Sequence, residues 1–526
     1  MGVPGLRTYA SKKLVAKHRL RNAILVIDGL SLQQDLYRRH LPKRGGSSAQ
    51  PFGGDYNRFA ATVEAFFRAL LQAGVTPVVI MDGSVPPEKL ATKLKRFNAQ
   101  LAVSKAVYEG RPTGGVINAL LNPELFVQVS GEMCVCFELF VKSFSFYLHR
   151  QILKKLKITV HTAILEADDI LPTIARDLGA TLLSGDSDFL LADIPGGVIS
   201  PMSLLAHNML LHHDHRQDRP YLPCKIYRIS RLLAKYRGLT LELAPLAGPL
   251  VGNDYIDGSK TDGLVGRLPK PVDTSLSSSS SSYNQPKIET VFSWLATQSS
   301  VASAVANLKR LVRSPSGHHP AIAFIESHFI EPSPSPRLET VSTKGQSVEE
   351  YFSTNAHRLF SNLEPGIPAW AFKNTSGPLK RRLLTIFTSQ LDFASPLVED
   401  LSLEESSHEA AFELCQYIYG LLRRGDDDAH PKVITRYVRV GQQRAEQKVA
   451  PKTVVSGCFK LGFVFVVVGS LTVLFLSHRS TEGACPSWRT LPPWTGPTAS
   501  ISSSTFSASA PPPSPLNCSR PSTAPS

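Results

Sequence analysis

Ala23-Ile24-Leu25-Val26-Ile27-Asp28-Gly29 decides the fold: an unbroken apolar run that ends on an acid and a glycine. Such a run reads as a strand buried on both faces, as in a parallel sheet covered by helices. The phrase returns as Thr76-Pro77-Val78-Val79-Ile80-Met81-Asp82-Gly83, and Ala180-Thr181-Leu182-Leu183 leads into Ser184-Gly185-Asp186-Ser187-Asp188. Residues 156–160 are a further candidate strand. Between the first two runs, residues 56–72 carry Phe59, Val63, Phe66, Phe67 and Leu70 at helical spacing, a stripe expected to cover the sheet. Strands alternating with helices across residues 1–270 predict an α/β domain with a parallel sheet.

The 526 residues suffice for two or three domains, and 42% apolar content is globular. A net charge of +14 calls for an anionic partner, nucleic acid before acidic membrane. Seven scattered cysteines, with only Cys134 and Cys136 close together, imply neither a disulfide framework nor a zinc knuckle, and the expected compartment is reducing. No apolar leader core follows Met1, and Leu6 stands where a myristoylation signal wants Ser or Thr.

The serine run at residues 276–282 marks a linker, taken as residues 271–290, and residues 291–450 read as a mostly helical region. Two segments look foreign to this plan. Residues 131–147 form a dense apolar and aromatic insertion. Residues 461–476, inside an apolar segment at 451–480, carry no charge but fall short of the ~20 residues of a spanning helix. They read as a marginal membrane anchor or as an irregularity of this product, and a soluble nuclear or nuclear and cytoplasmic protein is the expectation. Residues 481–526 are a Ser/Pro-rich tail expected to be disordered.

Asp28, Asp82, Asp186 and Asp188 all follow apolar strands, and ligands of open α/β sheets bind at the carboxyl ends of strands. Glu166 and Asp168 open a helix after Ala163-Ile164-Leu165, and Asp254 follows the permissive Gly252. Each acid alone could be a helix N-cap, and Glu166 to Asp169 a charged first turn. Together, seven carboxylates at one sheet edge repel and raise each other's pKa unless a hard divalent cation lies among them. Asp186 and Asp188, two apart, point the same way if their turn is extended. His212-His213-Asp214-His215 is a weak zinc candidate, because adjacent residues cannot all face one ion.

The ordered set Met1-Gly2-Val3-Pro4-Gly5-Leu6, Ile27-Asp28-Gly29, Met81-Asp82-Gly83, Glu166-Ala167-Asp168, Asp186-Ser187-Asp188 and Gly252-Asn253-Asp254-Tyr255 resembles the flap endonuclease (XPG-like) nucleases with a PIN-like core. Gly53-Gly54-Asp55-Tyr56, Ser184-Gly185-Asp186-Ser187-Asp188-Phe189 and Val251-Gly252-Asn253-Asp254 are similar to the asteroid-type branch. The resemblance covers residues 1–260, more weakly the helical region. It implies two Mg²⁺ ions, for which Mn²⁺ could substitute. One would be held mainly by Asp28, Asp82, Glu166 and Asp168, the other by Asp186, Asp188 and Asp254. It implies that Lys89 and Arg96, seven and fourteen places after Asp82, are catalytic, and that Gly2, Lys93 and Lys95 lie along the nucleic acid. Read without the family, Lys89, Lys93, Lys95 and Arg96 would be a solvated basic face.

The pattern departs from the family in two places. Residues 255–270 lack the Gly-rich repeat that holds duplex in flap endonucleases. No sliding-clamp box is present, since Glu349 stands at its hydrophobic position and Phe352-Ser353 at its aromatic pair. The expected activity is metal-dependent endonucleolytic hydrolysis of single-stranded or overhang DNA, in DNA repair, with the two ions ~4 Å apart. The rivals are a catalytically silent nucleic-acid binder that keeps the fold, and a membrane-tethered or signalling scaffold.

Overall fold

A computed structural model describes residues 2–40, 56–109, 155–214, 219–269, 284–312, 319–330, 346–360 and 433–451, with short stretches and single positions between them, among them 389–393, 403–404, 409, 412 and 419. The insertion at 131–147, the serine run, the apolar segment at 461–476 and the tail at 481–526 lie outside the described residues. Among the described residues no helix is long and apolar enough to cross a membrane.

The strands are β1 (Val15–Leu20), β2 (Ile24–Asp28), β3 (Thr76–Met81), β4 (Thr159–Thr162), β5 (Thr181–Leu183), β6 (Val198–Ile199), β7 (His212–Asp214) and β8 (Arg219–Tyr227). They form one sheet in the order β1-β8-β6-β5-β2-β3-β4, with β7 paired to β8. Strands β6, β5, β2, β3 and β4 are parallel, as the apolar runs of β2, β3 and β5 predict. The sheet is nevertheless mixed, because β8 runs antiparallel to both β6 and β1. β1 exposes both Lys17 and Arg19, a charged edge that discourages pairing with another chain and hides the strand from a search for apolar runs. The expected strand at 156–160 begins later, at Thr159.

Side chains of β2 alternate between two cores, as the pleat dictates. Leu25 and Ile27 pack with Phe59, Val63, Phe66, Phe67 and Leu70 from helix α3 (Tyr56–Gln72), which follows α2 (Gly29–His40). The helical stripe expected from the sequence is therefore the cover of this face. Val26 faces the other core, shared by α1 (Leu6–Lys13), α5 (Leu171–Asp177), α6 (Ile229–Lys235), α7 (Asn284–Leu295), α8 (Val301–Leu311), α9 (Pro320–Ile325) and α10 (Val348–Phe360). Helix α7 begins inside the stretch expected as linker, and its Ile288, Val291 and Phe292 are buried in that same core.

Helix α4 (Leu90–Tyr108) continues a 3-10 turn at Pro87–Lys89. A second sheet, in the order β11-β10-β9, joins β9 (Leu391–Phe393), β10 (Ile434–Val440) and β11 (Gln443–Val449) within the region expected to be mostly helical. Two fully buried arginines, Arg436 and Arg439, interrupt the apolar alternation of β10, so its sequence does not read as a strand.

Candidate active site: seven carboxylates and two cations

Four adjacent parallel strands, β5, β2, β3 and β4, end at one edge, and each is followed by acids. Asp28 closes β2 and Asp82 follows β3. Past β3 the chain is stitched to the exit of β4: Gly83 N–H donates to Leu165 O and Ser84 N–H to Ile164 O, each at 2.7 Å. A Cβ at Gly83 would lie 2.1 Å from Ala163 O, so only glycine permits this approach. The stitching brings Asp82 to the 3-10 turn Ala167–Asp169, whose Ala167 N–H donates to Asp82 Oδ1 at 2.9 Å.

Asp28 is buried, accepting from Ser31 N–H at 3.0 Å and Ser184 Oγ at 2.7 Å. It thus caps α2, as the simpler reading of its position allows, yet it also belongs to the cluster. Burial, then the charges of Asp82 and Asp186, push its carboxyl up to about 7, against the two hydrogen bonds. Asp168 is held well above the usual carboxylate range by burial and by Asp82, with Asp186 and Glu166 adding and Lys89 opposing. Burial, then Asp186 and Asp254, raise Asp188 to about 7. These couplings connect all seven predicted acids into one electrostatic cluster.

Asp186 and Asp188 do not sit on an extended segment. Asp188 N–H donates to Asp186 Oδ1 at 3.1 Å and Asp188 opens a 3-10 turn, so the pair is gathered by an Asx-type turn rather than by strand alternation. Gly2 presses on this turn. Its φ is +56°, and a Cβ there would stand 2.1 Å from Asp186 Oδ1.

Both predicted cations enter the cluster. Lys89, 6% exposed, contacts Glu166 and stands 3.3 Å from Asp168. Burial disfavours its charge, but Asp168 and Glu166 outweigh that and hold its pKa above the ordinary lysine value. Arg96 pairs with Asp254 at 2.7 Å. The seven-residue separation of Lys89 and Arg96 puts both on one face of the helical segment. Lys93 instead lies 5.6 Å from the Phe393 ring centre, and Lys95, 81% exposed, lies 3.6 Å from Asp257.

Sequence reasoning missed several partners. Thr92 donates its hydroxyl to Asp254 O, Arg7 donates to Gly185 O at 3.0 Å, and the Tyr255 ring lies 5.0 Å from Lys89 Nζ. Only Tyr255, beside Asp254, had a signal in its position. The segment after Asp254 is closed from within the chain: Lys287 Nζ donates to Gly258 O and Thr261 Oγ1, each at 2.9 Å, and to Asp262 Oδ1 at 2.7 Å. His212 and His213 alternate on β7, and His215 lies outside the described residues.

The donor set suits a hard cation: every candidate is a carboxylate oxygen, and Asp188 Oδ1 is buried without a hydrogen-bond partner. Among the described residues, however, no three acids are arranged around a common point as metal ligands. The reason is visible in the contacts, since Glu166, Asp168 and Asp254 turn onto Lys89 and Arg96, and Asp28 and Asp82 onto hydroxyl and amide groups.

No protein-family model matches the chain. It is similar to the mouse protein named single-strand DNA endonuclease ASTE1 (Mus musculus), 26% identical over 441 residues, covering 82% of this chain and 57% of the relative. It is also similar to protein asteroid of Drosophila melanogaster, 26% identical over 434 residues, covering 70% and 46%. The chain thus spans about half the length of these relatives. A solved structure of human GEN1 in complex with Holliday junction DNA aligns at 12% identity, covering 90% of this chain and 97% of that one, with a TM-score of 0.31, too slight a likeness to argue from.

Proposed function

We propose that this chain, similar to single-strand DNA endonuclease ASTE1 and to protein asteroid, is an asteroid-type nuclease of the XPG-like kind, a metal-dependent endonuclease that hydrolyses phosphodiester bonds in single-stranded or overhang DNA. One observation carries this reading: seven carboxylates from four neighbouring strand ends and the segment at Asp254 form one coupled cluster, and two cations reach into it. A fold maintained for stability alone has no use for like charges buried together. The mouse relative's name, which specifies single-strand DNA, supports the substrate class.

Asp28, Asp82, Glu166 and Asp168, with Asp186, Asp188 and Asp254, would hold the divalent ions, Mg²⁺ first and Mn²⁺ as substitute. Such ions, when bound, neutralise the cluster, activate water and stabilise the leaving oxygen. Lys89 and Arg96 then serve as a clamp on the scissile phosphate, and both already face the carboxylates at the point of reaction. Thr92 holds the backbone of Asp254, and Ser184 fixes Asp28 against rotation. Gly2 leaves room beside the Asp186–Asp188 turn that a larger residue would fill. Lys93 and Lys95 supply positive charge further along α4 for the strand's backbone. DNA repair in the nucleus, or in nucleus and cytoplasm, is the setting this activity suits.

The test is direct. Purified full chain is incubated with fluorescent single-stranded, overhang, flap and duplex DNA in Mg²⁺ or in EDTA. Cutting in Mg²⁺ alone, lost in Asp186→Ala, is expected; cutting that persists in chelator or in the variant removes the metal mechanism. A silent nucleic-acid binder is the second reading, favoured by the pairing of Lys89 and Arg96 with the acids they would leave to the metal. Salt-sensitive binding with no cleavage in either Mg²⁺ or Mn²⁺ would establish it.

A further inference from the structure

Three aromatic rings gather beside the acid cluster. Tyr255, 37% exposed, has its ring centre 5.0 Å from Lys89 Nζ. Phe324 lies 5.3 Å from Tyr255, centre to centre, and His328 stacks on Phe324 at 3.9 Å with only 18° between the planes. Tyr255 and His328 also approach to 6.4 Å, so the three rings form a compact triad that meets the acid cluster at Tyr255 and leaves the His328 ring exposed.

Core packing does not account for it. On α9 the residues buried in the core are Ala321, Ile322 and Ile325, whereas Phe324, and His328 in the turn that follows, are not buried there. The backbone is adapted to this display, for α9 passes into a π-helical turn at Glu326–Ile330, a conformation concentrated at functional sites. His328 is held in place by its own segment, with Nδ1 3.0 Å from Phe324 O and 2.8 Å from Ser327 Oγ. An exposed ring locked in one orientation has already lost the rotamer freedom that binding would otherwise remove.

We propose that Tyr255, Phe324 and His328 form a base-stacking platform for a single strand of nucleic acid whose backbone reaches the acid cluster at Lys89. Rings stack on any base and so accept a strand irrespective of sequence, while the +14 charge of the chain attracts its phosphates. A duplex cannot use the platform, because its bases already stack on one another. The path of the strand rests on the nuclease reading; the stacking itself does not require cleavage.

The test is binding without turnover. Full chain in EDTA is titrated against fluorescent oligothymidylate, an abasic strand of the same length, and blunt duplex, with affinity read from anisotropy. Wild type should prefer oligothymidylate to the abasic strand. His328→Ala and Tyr255→Leu should each weaken oligothymidylate binding about tenfold, the effect of one lost base–ring stack. Abasic binding should not change, and His328→Phe should keep wild-type affinity. Unchanged melting temperatures exclude misfolding as the cause. Equal wild-type affinity for the two strands, or none for either, overturns the platform whatever the cleavage assay shows. Base-dependent binding by a protein that never cuts overturns the nuclease reading alone.

Discussion

Two parts of the molecule bury charge, and they do it in opposite ways. In the small sheet, Arg436 is 1% exposed and stands 3.1 Å from Glu409, with the Phe412 ring 5.2 Å from its guanidinium carbon. Its neighbour Arg439 donates to Leu403 O at 2.9 Å and Gly441 O at 2.7 Å. Each buried cation there meets acceptors of its own chain. At the edge of the large sheet, seven carboxylates meet two cations, and Asp28 and Asp188 are pushed up to about 7. A matched ion pair belongs to the architecture, but a surplus of one sign calls for something from outside.

That contrast can be broken most decisively by Asp186→Ala. Cleavage should fall roughly a thousandfold, in line with loss of a central electrostatic group at a reacting phosphate. Thermal stability in EDTA should hold or rise, because a repulsive charge is gone. Lys89→Ala comes next, with an expected loss of about a hundredfold in turnover and a lower melting temperature, since Glu166 and Asp168 lose their buried partner. Rate measurements at saturating substrate beside melting curves separate the two effects. Arg436→Ala should do the reverse: it leaves Glu409 without its partner and costs about 3 kcal/mol of stability, read by denaturant titration, without altering the chemistry at the acids. If Arg436→Ala abolishes cleavage in protein that still folds, the two regions are not separate in purpose.

The acids were legible because their positions follow from the sheet. An apolar run ending in Asp-Gly tells where a strand stops, and parallel neighbours stop on the same side. Lys89 and Arg96 came from the resemblance, and their depth could not be read from a segment that also carries the exposed Lys95. Strand β1 was hidden by its charges. Strand β10 needed partners on both sides, one of them β9, some forty residues earlier in the chain. Tyr255 is plain in the sequence, but its neighbour Phe324 lies on a different element, and only packing brings the rings together. Local pattern gave the positions where chemistry could sit, while long-range contact decided what surrounds it.

The smallest expected effect is also the one that tests the crowding itself. Burial, and then Asp82, hold the Asp28 carboxyl near 7 in the folded protein, against ~3.9 in an unfolded chain. Between those values the folded protein keeps a proton that the unfolded chain has released. Stability in EDTA should therefore decline as pH rises from about 4 to about 7, and the contribution should level off above that window. Asp188, raised by burial and Asp186, adds in the same direction. Asp28→Asn should make the decline shallower, and Mg²⁺ should flatten it in wild type by holding the acids ionised. Melting curves across that range, with and without Mg²⁺, read the difference. A decline that Asp28→Asn leaves untouched would mean that this carboxyl is not under pressure from its neighbours, and that the contrast with Arg436 is one of sign alone.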